Sequence, residues 1–163
     1  SIRGRKIRVQ LPRPRDYRPS REIQITGNRL HYAFINTGVP HAVIMTQGLQ
    51  RIDVPGIGRA IRYHRAFQPK GTNVNFVEVR SRREIRVRTY ERGVEAETKA
   101  CGTGSTASAI VAALAGYVRP PVSVRTRGGE VLRVDFKKAG KKIQKVFLEG
   151  EARRVYEGKV RMP

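Results

Sequence analysis

The chain has 163 residues with one cysteine, and 34 Lys and Arg against 13 Asp and Glu give it a net charge of +21. This length is typical of one domain with a real hydrophobic core, and a single cysteine excludes an internal disulfide framework and fits a reducing compartment. No apolar run approaches the roughly 20 residues that cross a bilayer, and the N-terminus lacks the apolar core of a signal peptide. We therefore expect one cytoplasmic domain over residues 1–163.

The positive charge is open to two interpretations. It is typical of proteins that bind nucleic acid or another polyanion, and residues 1–21 form a basic arm in which Asp16 is the only acid. However, basic residues alternate with apolar ones in stretches such as 84–89, as on the solvated face of a half-buried sheet. Solvated strands are the favoured explanation, with an engineered or drifted surface as an alternative. Non-specific binding to nucleic acid would follow from the electric field in either case.

Short apolar and alternating runs dominate the chain, whereas helical patterns are few. The first helix is predicted at 55–64 and the main one in the apolar run 106–117, with hairpin turns at 27–28 and 128–129 and a basic loop at 137–142. Strands are predicted at 6–11, 22–26, 30–35, 42–46, 73–79, 84–90, 122–126, 131–136, 145–149, 152–156 and 158–162. Many strands around one main helix indicate an α+β fold.

The only cysteine stands at the start of the main predicted helix. Cys101 precedes Gly-Thr-Gly-Ser, and a strong helix former follows at 107–115. The free N–H groups and the dipole of a helix N-terminus favour negative charge, so the pKa of the thiol should fall to roughly 3.5–7.5 and a substrate carboxylate could bind there. Glu91 and Arg92, just upstream, could hold an ammonium and a second carboxylate. A buried, inert cysteine is the alternative, but this context favours the reactive one.

The same residues resemble the C-terminal cysteine signature of diaminopimelate epimerases. The resemblance extends from about residue 6 to the C-terminus, but it covers only the second of the family's two similar halves. The motifs that carry it are Tyr90-Glu-Arg-Gly93, Glu97-Thr98, Ala100-Cys-Gly-Thr-Gly104, Asn36-Thr-Gly-Val-Pro-His-Ala-Val43, Gly71-Thr-Asn-Val-Asn-Phe-Val-Glu-Val79, Gly128-Gly-Glu-Val-Leu-Arg-Val-Asp135 and Leu148-Glu-Gly-Glu-Ala152.

The resemblance implies a barrel of strands wrapped about a central helix, here a single C-terminal-type domain. It also implies conversion of LL- to meso-diaminopimelate in lysine biosynthesis, by two cysteines and without pyridoxal phosphate or another cofactor; we expect no metal. Cys101 would be one of the two acid/base groups. By the same resemblance, Gly102 and Thr103 would bind the α-carboxylate, Glu91 the reacting ammonium, and Arg92 with Asn73 the distal end of the substrate.

Two positions in the turn at 36–41 bear on substrate recognition. Many family members have Asn where this chain has Val39, which removes one polar contact with the distal part of the substrate. His41 could shape the pocket, although a lone histidine after proline is more often structural. His31 and His64 have no metal-ligand neighbours, so no chemistry is assigned to them.

Inversion of a stereocentre requires removal of a proton from one face and its return to the other, so two groups are needed. This sequence supplies one thiol. A separate N-terminal half could supply the second, or a symmetric homodimer could set Cys101 of each subunit across one cleft. Alternatively, the chain is an inactive or redesigned half, or a basic module that binds nucleic acid or an acidic protein.

Overall fold

A computed structural model describes residues 2–3, 6–25, 27–139, 142–152 and 155–161. Its two α-helices are α1 (Val54–Arg62) and α2 (Gly102–Leu114), and short 3₁₀ turns lie at Leu49–Arg51 and Arg65–Phe67. The described strands are β1 (Ile2–Arg3), β2 (Lys6–Leu11), β3 (Arg15–Ile25), β4 (Asn28–Asn36), β5 (Pro40–Met45), β6 (Asn73–Ser81), β7 (Glu84–Glu91), β8 (Ala96–Thr98), β9 (Val122–Arg125), β10 (Val131–Ala139) and β11 (Lys142–Glu151). The expectation of many strands with one main helix is confirmed.

All of these strands belong to one mixed sheet. Its order is β1-β2-β11-β10-β9-β7-β6-β5-β4-β3, and β8 pairs with β7 outside this path. The β5–β6 and β7–β9 pairs are parallel, and the other pairs are antiparallel. β7, β6 and β5 are therefore consecutive in the sheet, and they lie behind the N-terminus of α2.

Each face of the sheet carries one helix. α2 is apolar on all sides and is buried from Gly104 to Ala113, as expected for a helix inside a core. Its core partners from the sheet include Val43, Val77 and Val134. α1 packs on the opposite face with Val54 and Ile61, over a second core. The sheet thus separates two hydrophobic cores.

The sheet does not close into a barrel around α2. Within the described residues, no hydrogen-bonded pairing joins β3 at one edge to β1 or β2 at the other. Proline provides a physical reason, because it has no N–H to donate to a neighbouring strand. Pro19 lies within the edge strand β3, and Pro12 directly follows β2.

The N-terminal and C-terminal segments also differ from expectation. The basic arm supplies β2 and part of β3, and β3 begins seven residues before the predicted strand at 22–26, of which Thr26 lies outside the described residues. The predicted loop at 137–142 is wrong, because β10 continues to Ala139 and β11 begins at Lys142.

The two predicted C-terminal strands are wrong over the residues described there, 152 and 155–161, which have no strand. Val155 is 89% exposed, so no neighbouring strand buries it. The remainder of these two segments, Arg153, Arg154 and Met162, lies outside the described residues. None of the helices in the described ranges is long and apolar enough to cross a membrane.

Candidate functional site

Cys101 is the residue that begins α2. Its backbone is extended (φ −134°, ψ 110°), and its carbonyl oxygen accepts the first helical hydrogen bond from the Ser105 N–H at 2.8 Å. The Gly104 N–H donates to Cys101 Sγ at 3.4 Å, so the sulfur itself caps the helix. The loop before it is fixed by the β9–β10 turn, in which the Gly128 N–H donates to the Lys99 carbonyl at 2.7 Å. The predicted place of the sulfur at a helix N-terminus is confirmed.

The pKa of the Cys101 thiol is raised, contrary to the sequence-based expectation. Burial is the main cause, since Cys101 is only 9% exposed, and the negative charge of Glu91 acts in the same direction. Hydrogen bonds from the Thr103 hydroxyl and from the Gly104 N–H lower the pKa but do not compensate for burial. In this state the thiol is therefore protonated at neutral pH, where it can act as a proton donor.

A chain of buried polar side chains lies behind the first turn of α2. The Asn75 amide donates to His41 Nδ1 at 3.1 Å and to the Ala42 carbonyl at 3.2 Å, and its oxygen accepts from the Thr89 hydroxyl at 3.0 Å. A Cβ placed on Gly104 would collide with this amide oxygen. Asn75 is thus fixed by three hydrogen bonds directly behind Gly104, where the helix lies close to the sheet.

His41 is fully buried at the edge of this network. Burial, together with the positive charge of Arg92, lowers the pKa of His41 to about 3, so the ring is neutral at physiological pH. Because Asn75 donates to Nδ1, the ring proton resides on Nε2, which has no hydrogen-bond partner in the described part of the chain. His41 pairs with Asn73 across β5 and β6, so it lies beside that residue, and its role in shaping the pocket stays a prediction.

Asn73 and Arg92 are in direct contact. The Arg92 N–H donates to Asn73 Oδ1 at 2.8 Å, and the Asn73 amide donates to the Pro40 carbonyl at 3.1 Å. The Arg92 guanidinium donates to the Lys70 carbonyl at 2.9 Å. Asn73 is 3% exposed, so its amide joins the end of β7 to the start of β5. An amide has two donors and two acceptor lone pairs, and these two bonds to described residues use one of each on Asn73.

Glu91, Gly102 and Thr103 lie with Cys101 at the N-terminal end of α2. Glu91 ends β7, and its charge acts on Cys101, while Gly102 and Thr103 form the first turn of the helix. Both glycine and threonine are half-buried, and N–H groups in a first helical turn lack intrahelical acceptors. A small depression beside Cys101, without room for a water molecule, is lined in part by Thr89, Thr98, Ser105, Thr126 and Arg127.

The sequence analysis did not predict three sets of contacts near the site. The buried Thr37 hydroxyl donates to the Thr103 carbonyl at 3.2 Å and links the β4–β5 turn to the helix. Asn75 could have been found, because it lies two residues after Asn73 and therefore on the same face of β6. The ion pair between Arg88 and Glu97 attaches β8 to β7. No comparable pattern in the sequence predicts this pair.

Comparison with known proteins identifies the family. The family model described as Diaminopimelate epimerase matches residues 33–155, which is most of this chain. The chain belongs to the diaminopimelate epimerase family. A diaminopimelate epimerase from Aquifex aeolicus (strain VF5) is 50% identical over 158 residues, which cover 96% of this chain but 55% of that relative. The chain thus spans about half the length of the curated relatives it matches.

Solved structures that are remote in sequence share the fold. A probable proline racemase from Agrobacterium radiobacter K84 is similar with a TM-score of 0.69 at 15% identity, over 91% of this chain and 51% of that one. A hydroxyproline epimerase from Agrobacterium vitis has the same TM-score at 17% identity, over 92% of this chain and 51% of that one. This diaminopimelate epimerase family member therefore has a mostly-sheet fold that matches about half of each of these larger chains.

Proposed function

We propose that this chain is the half of an amino-acid epimerase of the diaminopimelate type that supplies one of two acid/base thiols. Membership of the family supports an amino-acid epimerase, and the substrate class we propose is diaminopimelate. The observation that carries the proposal is Cys101 itself: a thiol at the N-cap of a buried helix, beside N–H donors and within the field of Glu91.

The proposed roles follow from the chemistry of the site. The N–H groups of Gly102 and Thr103 bind the α-carboxylate, where the helix dipole stabilises the negative charge that develops when the Cα proton leaves. Glu91 holds the ammonium group of the reacting centre. Arg92 holds the distal carboxylate, and the remaining donor and acceptor of the Asn73 amide contribute there. No cofactor is required by this scheme.

Substrate binding would lower the pKa of the Cys101 thiol. In the free chain, the charge of Glu91 raises the pKa of Cys101. An ammonium bound to Glu91 neutralises that charge and places a positive charge nearby, and both effects favour the thiolate. Cys101 would thus change from a protonated thiol to a usable base only when substrate is present.

The reaction needs a second thiol on the opposite face of the substrate. One thiolate removes the Cα proton and becomes a thiol, while the other thiol delivers its own proton to the opposite face and becomes a thiolate, so protons and charge balance. Since the chain contains one cysteine, the second thiol comes from a complementary half or from Cys101 of a second copy. The chain is about half the length of its matched relatives, which favours the complementary half.

The proposal is tested by α-proton exchange of diaminopimelate in deuterated buffer, with the chain alone and with Cys101→Ala. Exchange that disappears in the variant identifies Cys101 as a working base. If neither protein catalyses exchange although both are folded, autonomous activity is excluded. The same assay is then repeated with a complementary half added, and continued absence of exchange there would overturn the proposed function.

A second candidate function rests on the charge of +21. We propose as the alternative that the domain binds nucleic acid or another polyanion through the exposed basic residues of β2, β3 and β10. Affinity for a 20-nucleotide single-stranded DNA should then fall steeply between 50 and 200 mM salt. Binding that is equal in the wild type and in Cys101→Ala would favour this function, whereas no binding at 50 mM salt would exclude it.

A further inference from the structure

Three exposed arginines lie in a row along the edge strand β3. They pair with alternate residues of β4: Arg15 with Asn36, Arg18 with Phe34 and Arg21 with Tyr32. Because alternate residues of a strand share a face, all three arginine side chains lie on the same face of the sheet. Alternate residues are about 7 Å apart, so the row spans about 14 Å. We call these three residues the arginine row.

Two β-bulges place the arginine row on one face. In a regular strand, residues three positions apart point to opposite faces, so Arg18 would point away from the other two arginines. The register of β3 against β4 shifts once on each side of Arg18. Each shift adds one residue to β3, and each of the two bulged segments contains a residue with positive φ, Asp16 at 58° and Ser20 at 36°. The bulges thus convert a sequence spacing of three into a single line of positive charge.

Aromatic rings lie alongside the arginine row. The Arg18 guanidinium lies over the Phe34 ring, 5.6 Å from its centroid. Phe34 and Tyr32 are half-buried, and their ring centroids lie 6.2 Å and 5.2 Å from that of Phe67. Burial raises the pKa of Tyr32, and the charges of Arg21 and Arg18 act against this, so both guanidiniums lie near its ring. The row therefore combines positive charge with aromatic surface.

No carboxylate of the described residues forms an ion pair with the arginine row. Glu22 directly follows Arg21, but it pairs with His31 and points to the opposite face, where its carboxylate lies 3.7 Å from Arg29. The like charges of the row repel one another, and a bound polyanion would relieve this repulsion. The row is thus a positive surface that the described part of the chain does not neutralise.

We propose that the arginine row binds single-stranded nucleic acid, with phosphates on the guanidiniums and bases against the neighbouring aromatic rings. This inference does not depend on the epimerase function, and it gives the polyanion-binding alternative a defined surface. A row about 14 Å long fits an extended chain of phosphates better than one compact anion. Arginine planes and aromatic rings stack on unpaired bases, which a duplex keeps inside its own stack.

An acidic peptide fits this edge less well. A peptide that extends the sheet would pair with the outward N–H and C=O groups of β3 in a regular register. The bulges at Asp16 and Ser20 interrupt that register, and Pro19 between them has no N–H to donate. A chain of phosphates requires no backbone register, because side chains bind it. The edge therefore favours nucleic acid over a peptide strand.

The test measures binding of the full chain to a fluorescent 20-nucleotide single-stranded DNA by anisotropy. A triple variant, Arg15→Gln with Arg18→Gln and Arg21→Gln, should weaken the Kd at least tenfold at 100 mM salt. Each phosphate contact with a single strand contributes about 0.7 to the slope of log K against log salt concentration, so the slope should decrease by about 2.

A matched triple variant removes the same charge elsewhere. Arg83, Arg119 and Arg133 are exposed and lie outside β3. Their replacement by glutamine should weaken the Kd less than threefold, because only the long-range field changes. Circular dichroism verifies that both triple variants are folded. An abasic strand of equal length should bind the wild type at least fivefold more weakly than the intact strand, and a 20-base-pair duplex should also bind more weakly.

The contrary outcomes are distinguishable. Equal weakening by the two triple variants overturns the arginine row, while binding through diffuse charge stands. Equal affinity for the abasic and intact strands excludes contact with bases and leaves a surface for any polyanion. A duplex that binds more tightly excludes a single-stranded ligand. No binding at 50 mM salt excludes both the row and the polyanion alternative, whereas the epimerase function is tested separately by α-proton exchange.

Discussion

Replacement of Arg88 by methionine should be among the most damaging single changes in the chain. Arg88 is 9% exposed and forms a bidentate ion pair with Glu97. Its Nε donates to Oε1 and its Nη2 donates to Oε2, both at 2.7 Å. Its third nitrogen donates to the Leu49 carbonyl at 3.0 Å and to the Ile52 carbonyl at 2.9 Å. One guanidinium therefore joins β7 to β8 and to the turn that precedes α1.

The expected loss is about 3 kcal/mol of unfolding free energy. Removal of one partner of a buried ion pair typically costs about 3–5 kcal/mol, because a charge remains buried without compensation. The lower end applies, since Arg127 Nε lies 3.5 Å from the Glu97 carboxylate and compensates in part. With a urea m-value of about 2 kcal/mol/M, the unfolding midpoint should fall by about 1.5 M.

The matched control is Arg125→Met, which breaks an exposed pair with Glu84 at 3.9 Å. Exposed pairs contribute about 0–1 kcal/mol, so its midpoint should shift by less than about 0.5 M. Urea unfolding followed by circular dichroism measures both variants. A shift of Arg88→Met no larger than that of Arg125→Met would refute the claim that this buried pair stabilises the region around the site.

Three further results are expected. Gly104→Ala should lose about 1–3 kcal/mol of stability in urea, because the new methyl collides with the fixed Asn75 amide, whereas Gly102→Ala meets only a leucine methyl and should lose less than 1 kcal/mol. Unfolding free energy should fall by about 2 kcal/mol between pH 7 and pH 5, because His41 has a folded pKa of about 3 against about 6.5 when unfolded. Alkylation of Cys101 by iodoacetamide should be slow at pH 7, with an inflection above that of a free cysteine, about 8.5, because burial raises its pKa.

Each of these results has an outcome that contradicts it. Equal stability of Gly104→Ala and Gly102→Ala would mean that Asn75 is free to move. Because the pKa of His41 is lower in the folded state, its contribution is present above pH 6.5 and is lost as the pH falls toward 3. His41→Asn should therefore flatten the dependence, and an unchanged slope would assign it elsewhere. An alkylation inflection below 8 would mean that the helix terminus outweighs burial at Cys101.

Periodicity in the sequence predicted most of the strands and both helices, because each of those elements buries one face or all faces in a core. β8 was missed for a physical reason: Ala96, Glu97 and Thr98 have no apolar pattern, and the strand is attached through the contact between Arg88 and Glu97. The prediction of the two C-terminal strands was wrong for the opposite reason. Val155 and Val160 belong to segments with the alternation of strand residues, but they are 89% and 88% exposed, and no strand of the described residues pairs with them.

For the site too, the sequence predicted some properties and not others. The position of Cys101 at a helix N-terminus follows from local sequence, because glycines and small residues before an apolar run specify it. The ionisation of the thiol does not, since it depends on how deeply the fold buries the sulfur and on where Glu91 ends β7. The sequence analysis assigned Glu91 only to binding an ammonium group. In the free chain, its charge also raises the pKa of the Cys101 thiol.

These features define both the geometry and the protonation of the site around Cys101 when no ligand is bound. The first turn of α2 is held by Asn75 behind Gly104 and by Thr37 at the Thr103 carbonyl, so the N–H donors keep their direction without a ligand. The thiol beside them is protonated. Under the proposed function, the site would bind the substrate carboxylate before it removes a proton, because its donors are preorganised whereas its base must first be generated. Under the proposed function, the ammonium of the substrate would generate it, which would confine proton abstraction to the bound complex and protect the thiol from alkylation and oxidation between turnovers.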